Sequence, residues 1–270
     1  MSPFLARLSA AVRQHQSLAC IGLDPDPEKF PAPLRHADDA LYTFNRAIIE
    51  QTADLVCAYK LNLAFYEAQG PAGLEAMERT LRCIPDGIVV IGDAKRGDID
   101  NSARMYAKSL FGYYGFDAVT VNPYQGRDGV QPFLDHQDRG VFILCLTSNA
   151  SAREFQDLRV DGCPLYLKVA MAAREWNAYG NAGLVVGATN AESLAGIRSA
   201  APDMPLLIPG IGAQGGDLAT VVRTGIDRHG GGILVNASRS ILYASSGPDF
   251  ARAARQAAMT LKEEINALRR

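Results

Sequence analysis

The chain is 270 residues long, 48% hydrophobic and 21% charged, with 27 basic against 29 acidic side chains for a formal net charge of −2. This composition excludes a disordered chain, a collagen-like chain and a coiled coil, and the slightly acidic balance argues against a general nucleic-acid binder while leaving room for a local basic pocket. Single barrels of alternating strands and helices reach about 250 residues, so the length suits one such domain as well as two smaller ones.

From the N-terminus, Met1-Ser2-Pro3-Phe4-Leu5-Ala6-Arg7 lacks the basic flank and long apolar core of a secretory signal. No apolar run approaches the roughly 18 residues of a membrane span, so a cytoplasmic protein with no membrane partner is expected. Eight short apolar runs follow, at 18–23, 55–63, 87–91, 118–121, 141–146, 184–187, 206–209 and 233–235. They are rich in β-branched residues and lack strict alternation, as strands buried on both faces do. Between them the period is helical. Leu41, Phe44 and Ile48 form one stripe, and Phe250, Ala254, Ala257, Leu261, Ile265 and Leu268 form another. The last helix is expected to open at Ser246-Gly247-Pro248-Asp249, with Ser or Asp as cap.

Eight strands alternating with helices predict an α/β fold, a single (β/α)8 TIM barrel over residues 1–270. An open doubly wound sheet is the alternative, but such sheets rarely carry eight evenly spaced strands. One connection is long: 148–162 has mixed charges and no period, as in a lid, a partner-binding element or a plain surface excursion. Cys20, Cys57 and Cys145 lie inside apolar runs and no CxxC pair occurs among the five cysteines, which predicts buried free thiols rather than a disulfide framework or a zinc site.

In such a barrel the chemistry sits where the strands end. The third run leads into Asp93-Ala94-Lys95-Arg96-Gly97-Asp98-Ile99, the most charged of the eight tips. Asp93 and Lys95 are two apart on a strand and share a face. Lys60 sits near the end of the neighbouring strand and Asp98 follows beyond the third, which offers an alternating row of Lys60, Asp93, Lys95 and Asp98. A surface salt-bridge cluster is the other reading; charges in a barrel mouth are costly unless they work. The seventh tip, Pro209-Gly210-Ile211-Gly212-Ala213-Gln214-Gly215-Gly216, lets backbone approach an anion, and Arg239 after the eighth can grip phosphate oxygens. The glycines are otherwise turn residues. His15, His36, His136 and His229 lie away from the strand tips and show no metal-ligand spacing. A cation among Asp24, Asp26, Asp93 and Asp98 is the lesser alternative, because Lys60 and Lys95 already supply positive charge there. Trp176 reads as helix packing.

These residues together resemble the orotidine 5′-phosphate decarboxylase family, in its bacterial type 2. The DxKxxD element at Asp93, Lys95 and Asp98 is shared with a wider group of barrels. The combination with Gly22-Leu23-Asp24-Pro25, Lys60, Ser148-Asn149, the 209–216 loop and Ser238-Arg239-Ser240 is far more specific, and it covers nearly the whole chain. The resemblance implies a cofactor-free, metal-free homodimer that converts orotidine 5′-monophosphate to uridine 5′-monophosphate and CO2 in de novo pyrimidine synthesis. It implies that Asp24 holds a ribose hydroxyl and that Lys60 bonds the ribose and orders Asp93. Lys95 would protonate C6. Asp98 and Ser102 would enter from the partner subunit. Ser148 would face the pyrimidine, with Thr147 or Asn149 in that role after a one-residue shift. Gln214 and Arg239 would hold the phosphate. Two rival readings stay open: a sugar-phosphate lyase using Mg²⁺ at the same acids, and a non-catalytic nucleotide-binding barrel.

Overall fold

The computed structural model describes residues 1–35, 37–188, 191–211 and 217–269. Eight parallel strands close on themselves: β1 (Ala19–Gly22), β2 (Ala58–Asn62), β3 (Val89–Arg96), β4 (Ala118–Val121), β5 (Gly140–Leu146), β8 (Ala182–Val186), β9 (Leu206–Pro209) and β10 (Ile233–Ala237). Between β5 and β8 a short antiparallel pair, β6 (Arg159–Val160) with β7 (Cys163–Pro164), stands apart from the barrel. The barrel order is β1-β10-β9-β8-β5-β4-β3-β2, sequential all the way round. Helices join successive strands and cover the outside, as the eight apolar runs predict.

The strands are apolar throughout because both faces are buried. Cys20, Ala58, Val89, Ile91, Ala118, Phe142, Val185, Leu207 and Leu234 fill the lumen. The alternate residues, such as Ile21, Tyr59, Val119 and Ile143, pack outward against the helices. The register Gly22↔Lys60↔Ile91 and Asn62↔Asp93 brings the polar ends of β1, β2 and β3 to nearly one level.

A helix over Pro3–His15, for which the apolar runs gave no sign, closes the end of the barrel where the strands begin. Its Phe4, Leu8 and Ala11 join the lumen residues. Ser2 caps it: the Ser2 hydroxyl accepts from the Leu5 N–H (3.3 Å) and donates to the Gly180 carbonyl (2.7 Å). The Phe4 ring meets Phe142 edge-on, with centroids 6.0 Å apart. Gly140 makes the room, since a Cβ there would lie 2.4 Å from the Phe4 ring.

Other expectations fare unevenly. The last helix runs Phe250–Leu268 and buries Phe250, Ala254, Leu261 and Ile265, but neither Ser246 nor Asp249 caps it. The Asp249 carboxylate instead accepts from the Ser245 hydroxyl (2.7 Å), which also accepts from the Gly247 N–H. The long connection after β5 is locally built: a 3₁₀ turn at Ala150–Glu154, then the β6–β7 hairpin, turned by Asp161 and Gly162 at positive φ, 52° and 74°. Trp176 ends the helix Leu165–Trp176 and packs on the core. Cys20, Cys57 and Cys145 are buried free thiols, and burial pushes the thiols of Cys57 and Cys145 up to about 12. His15 ends the first helix, His136 follows the helix Arg127–Leu134, and His229 precedes β10; His36 lies outside the described residues. No helix among the described residues is long and apolar enough to cross a membrane.

Replacing Gly140 by Ala pushes Phe4 off Phe142. The expected cost is ~1–3 kcal/mol of stability, as for overpacking elsewhere. Denaturant unfolding should show the loss, while ligand binding at the opposite end of the barrel stays near wild type.

Candidate active site

The strand tips surround a cavity of about 570 Å³. Asp24, Lys60, Asp93, Lys95, Ser148 and Arg239 all line it, and so do Thr147 and Asn149. Its apolar wall includes Phe65, Leu146, Val185, Pro209 and Ile211.

Lys60 is the centre of the charged side. It stands in the middle of β2, two residues before its end, and is only 4% exposed. Its ammonium lies 3.0 Å from Asp93 Oδ2 and 3.4 Å from Asp24 Oδ1. Lys95 Nζ reaches the other oxygen of Asp93, Oδ1, at 2.7 Å, while its own side chain stays 47% exposed toward the cavity mouth. Burial alone would discharge Lys60 and Asp93. For Lys60 the desolvation is outweighed by the attraction of Asp24 and Asp93, and the ammonium is held above its ordinary range. For Asp93 the desolvation is outweighed by Lys60 and Lys95, through charge and hydrogen bonds, and the carboxyl is held well below the usual carboxylate range. The stabilisation from Asp93 is present above its unfolded pKa of about 3.9 and fades as pH falls through the lower folded value. That from Lys60 is present below about 10.4 and fades as pH rises through the higher folded value. Between these limits the pair stays ionised.

Asp24 is fixed from three sides. Its Oδ1 also accepts from the Asn62 N–H (3.2 Å), and its Oδ2 accepts from the Ser238 hydroxyl (2.7 Å). Gly22 lets Ser238 in: a Cβ at that position would come 1.9 Å from Ser238 Oγ. The Tyr243 hydroxyl donates to the Asp24 carbonyl (3.2 Å) and accepts from the Asp26 N–H (2.7 Å), tying the end of β1 to the segment after β10.

Two and three strands round the barrel from Lys60, Arg239 and Ser240 after β10 and Gly210 (φ 96°) after β9 border the same cavity. Gln214 lies outside the described residues, with Gly212, Gly215 and Gly216. Ser148 sits against Gly187, where a Cβ would come 2.7 Å from the Ser148 nitrogen. The neighbouring Thr147 is clamped by Gln156, whose Oε1 accepts from the Thr147 N–H and whose Nε2 donates to Thr147 Oγ1, both at 2.8 Å.

Asp98 and Ser102 are not among the cavity residues. The Asp98 carboxylate accepts from the Ile99 N–H (2.8 Å), and Ser102 is exposed on the helix Asp100–Ala107. Within one chain the alternating row therefore ends at Lys95. The acids do not gather either. Asp26 takes Lys29 (2.7 Å), and among the described residues no group of three His, Cys, Asp or Glu could hold a metal ion.

Sequence reasoning missed Ser238's grip on Asp24, the Tyr243 tie and Thr120. Thr120 on β4 is 1% exposed, and its hydroxyl donates to Asp93 Oδ1 at 2.8 Å. The available signal was a polar residue inside the short run Ala118-Val119-Thr120-Val121, easily read as a mere β-former.

The family model described as "Orotidine 5'-phosphate decarboxylase / HUMPS family" matches residues 17–256. The orotidine 5′-phosphate decarboxylase of Roseiflexus castenholzii is 52% identical over 266 residues, covering 98% of this chain and 97% of that one. Its counterpart in Azoarcus sp. is 49% identical over 268 residues, covering 98% and 99%. The solved structure of Leishmania donovani OMP decarboxylase superposes with a TM-score of 0.87 at 40% identity, covering 100% of this chain and 99% of that one. With a match along almost its entire length and a barrel of the same shape, the chain belongs to the orotidine 5′-phosphate decarboxylase family.

Proposed function

We propose that the chain is a cofactor-free carboxy-lyase that converts orotidine 5′-monophosphate to uridine 5′-monophosphate and CO2 in de novo pyrimidine synthesis, as a single-domain cytoplasmic protein. Full-length relatives at about half identity support the reaction. The cytoplasmic setting is supported by five cysteines that all stand as free thiols. The observation that carries the mechanism is the ammonium of Lys95 held 2.7 Å from an ionised Asp93 at the mouth of the cavity.

Breaking the C6–carboxylate bond leaves an electron pair on C6. Decarboxylases commonly delocalise such a pair into a cofactor. Here a fixed ammonium meets the developing charge instead. As CO2 departs, the pair on C6 takes a proton from Lys95 Nζ, which gives uridine 5′-monophosphate and neutral lysine; solvent restores that proton. Asp93 orients Lys95 through Oδ1 while Lys60 holds Oδ2. Lys60 and Asp24 receive the ribose hydroxyls. Ser148, beside Thr147 and Asn149, reads the pyrimidine edge. Arg239 and Gln214 take the phosphate, whose binding energy helps close the site. The acids are paired with lysines rather than grouped, which favours this reading over a Mg²⁺-dependent lyase.

The working unit is a two-fold dimer. Asp98 and Ser102 lie outside their own chain's cavity, on a surface that also exposes Ile99, Met105 and Tyr106. Such apolar side chains around polar ones suit an interface in which each subunit lends Asp98 and Ser102 to the other.

Lys95→Ala is expected to lower turnover of orotidine 5′-monophosphate by about 10²–10⁴-fold or more. Loss of absorbance by the orotate ring reads the rate. Uridine 5′-monophosphate binding, by calorimetry, should persist; near-normal turnover would assign the proton to another donor. EDTA treatment should leave wild-type activity intact, whereas loss restored by Mg²⁺ would favour the lyase. Chains carrying Lys95→Ala and chains carrying Asp98→Ala, each inactive alone, should recover activity in about a quarter of sites once exchanged in equal amounts. Confirmed exchange without recovery would place Asp98 in its own chain's site.

A further inference from the structure

Strand β3 is irregular where its chemistry begins. Gly92 pairs with Val119 on β4, but the next pairing is Arg96 with Val121. Four residues of β3 thus pass two of β4, and the slack lies at 93–95. Lys95 takes up the slack in the left-handed region, at φ 48°, which a side-chain-bearing residue avoids without support. Thr120 stands opposite the bulge. Its hydroxyl accepts from the Lys95 N–H at 2.9 Å, where a regular ladder would offer a backbone carbonyl. The same hydroxyl donates to Asp93 Oδ1 at 2.8 Å, the oxygen that also accepts from Lys95 Nζ at 2.7 Å.

These contacts form a closed circuit: Lys95 backbone, Thr120 hydroxyl, Asp93 carboxylate, Lys95 ammonium. The directions are forced. A backbone N–H can only donate and a carboxylate can only accept, so the one hydroxyl proton must point at Asp93. Thr120 is 1% exposed, so no water competes for either bond.

We propose that Thr120 is a positioning residue for the reaction, whose hydroxyl holds Lys95 in its left-handed turn and sets the Asp93–Lys95 pair in the geometry that delivers the proton. Thr120 does not line the cavity and acts through both members of the pair. This assignment rests on the decarboxylase reading above.

Thr120→Val is the sharpest test, because it keeps the shape and removes the hydroxyl. The kcat for orotidine 5′-monophosphate should fall about 10- to 100-fold, the range expected when buried partners lose a shared hydrogen bond. The Kd of uridine 5′-monophosphate should change by less than about threefold, since the ribose and phosphate contacts lie elsewhere. Thr120→Ser, which keeps the hydroxyl, should recover most of the lost kcat. If the Val variant does not fold, Thr120→Ala removes the same hydroxyl and is read the same way. A hydroxyl-free variant with wild-type kcat overturns the assignment. So does an equal loss of kcat and of nucleotide affinity in the Val and Ser variants, which would mean that Thr120 only packs. Wild-type protein without turnover would instead overturn the decarboxylase reading, and this assignment with it.

Discussion

Four acidic and basic side chains share the mouth of this barrel, and the pairing of Lys60 with Asp93 is the one on which the others depend. Both are buried, and a charge so placed persists only if its partner and its hydrogen bonds repay the lost hydration. Lys60 is shared by Asp24 and Asp93; Asp93 is shared by Lys60, Lys95 and Thr120. Removing a single member of such a set leaves the rest uncompensated, typically at about 3–5 kcal/mol. The arrangement is therefore all-or-none, and it leaves one cation, Lys95, at the open edge, where a ligand can meet it.

The rest of the molecule reads as support for that set. Parallel strands deliver Asp24, Lys60 and Asp93 from three neighbouring tips. Gly22 removes the side chain that would block Ser238, and so decides how Asp24 is held. The bulge in β3 turns Lys95 toward Asp93, and β4 contributes only a hydroxyl. These polar side chains alternate with residues such as Leu61 and Val121 that remain buried in the core, so the apolar packing against the helices continues past them.

Much of this was legible in the residues. Continuous apolar runs ending in charged or small residues marked the strands, since a strand buried on two faces tolerates polarity only at its tip. The cluster Asp93, Lys95 and Lys60 was legible for the same reason. What escaped left only an ambiguous trace in the sequence. The Pro3–His15 helix carries an ordinary amphipathic stripe at Phe4, Leu8 and Ala11, and nothing in that stripe announces that it closes a barrel. The cap expected from Ser246 and Asp249 went instead to a Ser245–Asp249 contact, a choice made by the turn's geometry. β3 runs to Arg96, beyond its apolar part, because the bulge lets charged residues remain paired with β4. Thr120 looks like any β-branched residue until its two partners are known. For Asp98 and Ser102 the sequence showed where they lie along the chain, and the fold of one chain places them outside the cavity.

The filled lumen has a further effect, on how the site responds to dissolved ions. Ile91, Leu207, Leu234 and Phe142 lie beneath the charged set, with the Pro3–His15 helix below them. Solvent and salt reach the set only from the mouth. Added electrolyte can weaken the long-range pull on an approaching anion, because that pull acts through water. It cannot penetrate the apolar floor, so the attraction among Lys60, Asp93 and Asp24 is nearly independent of ionic strength. On the decarboxylase reading, a nucleotide seated in the mouth would exclude water from Lys95, and the field of this ammonium on the pyrimidine would then strengthen.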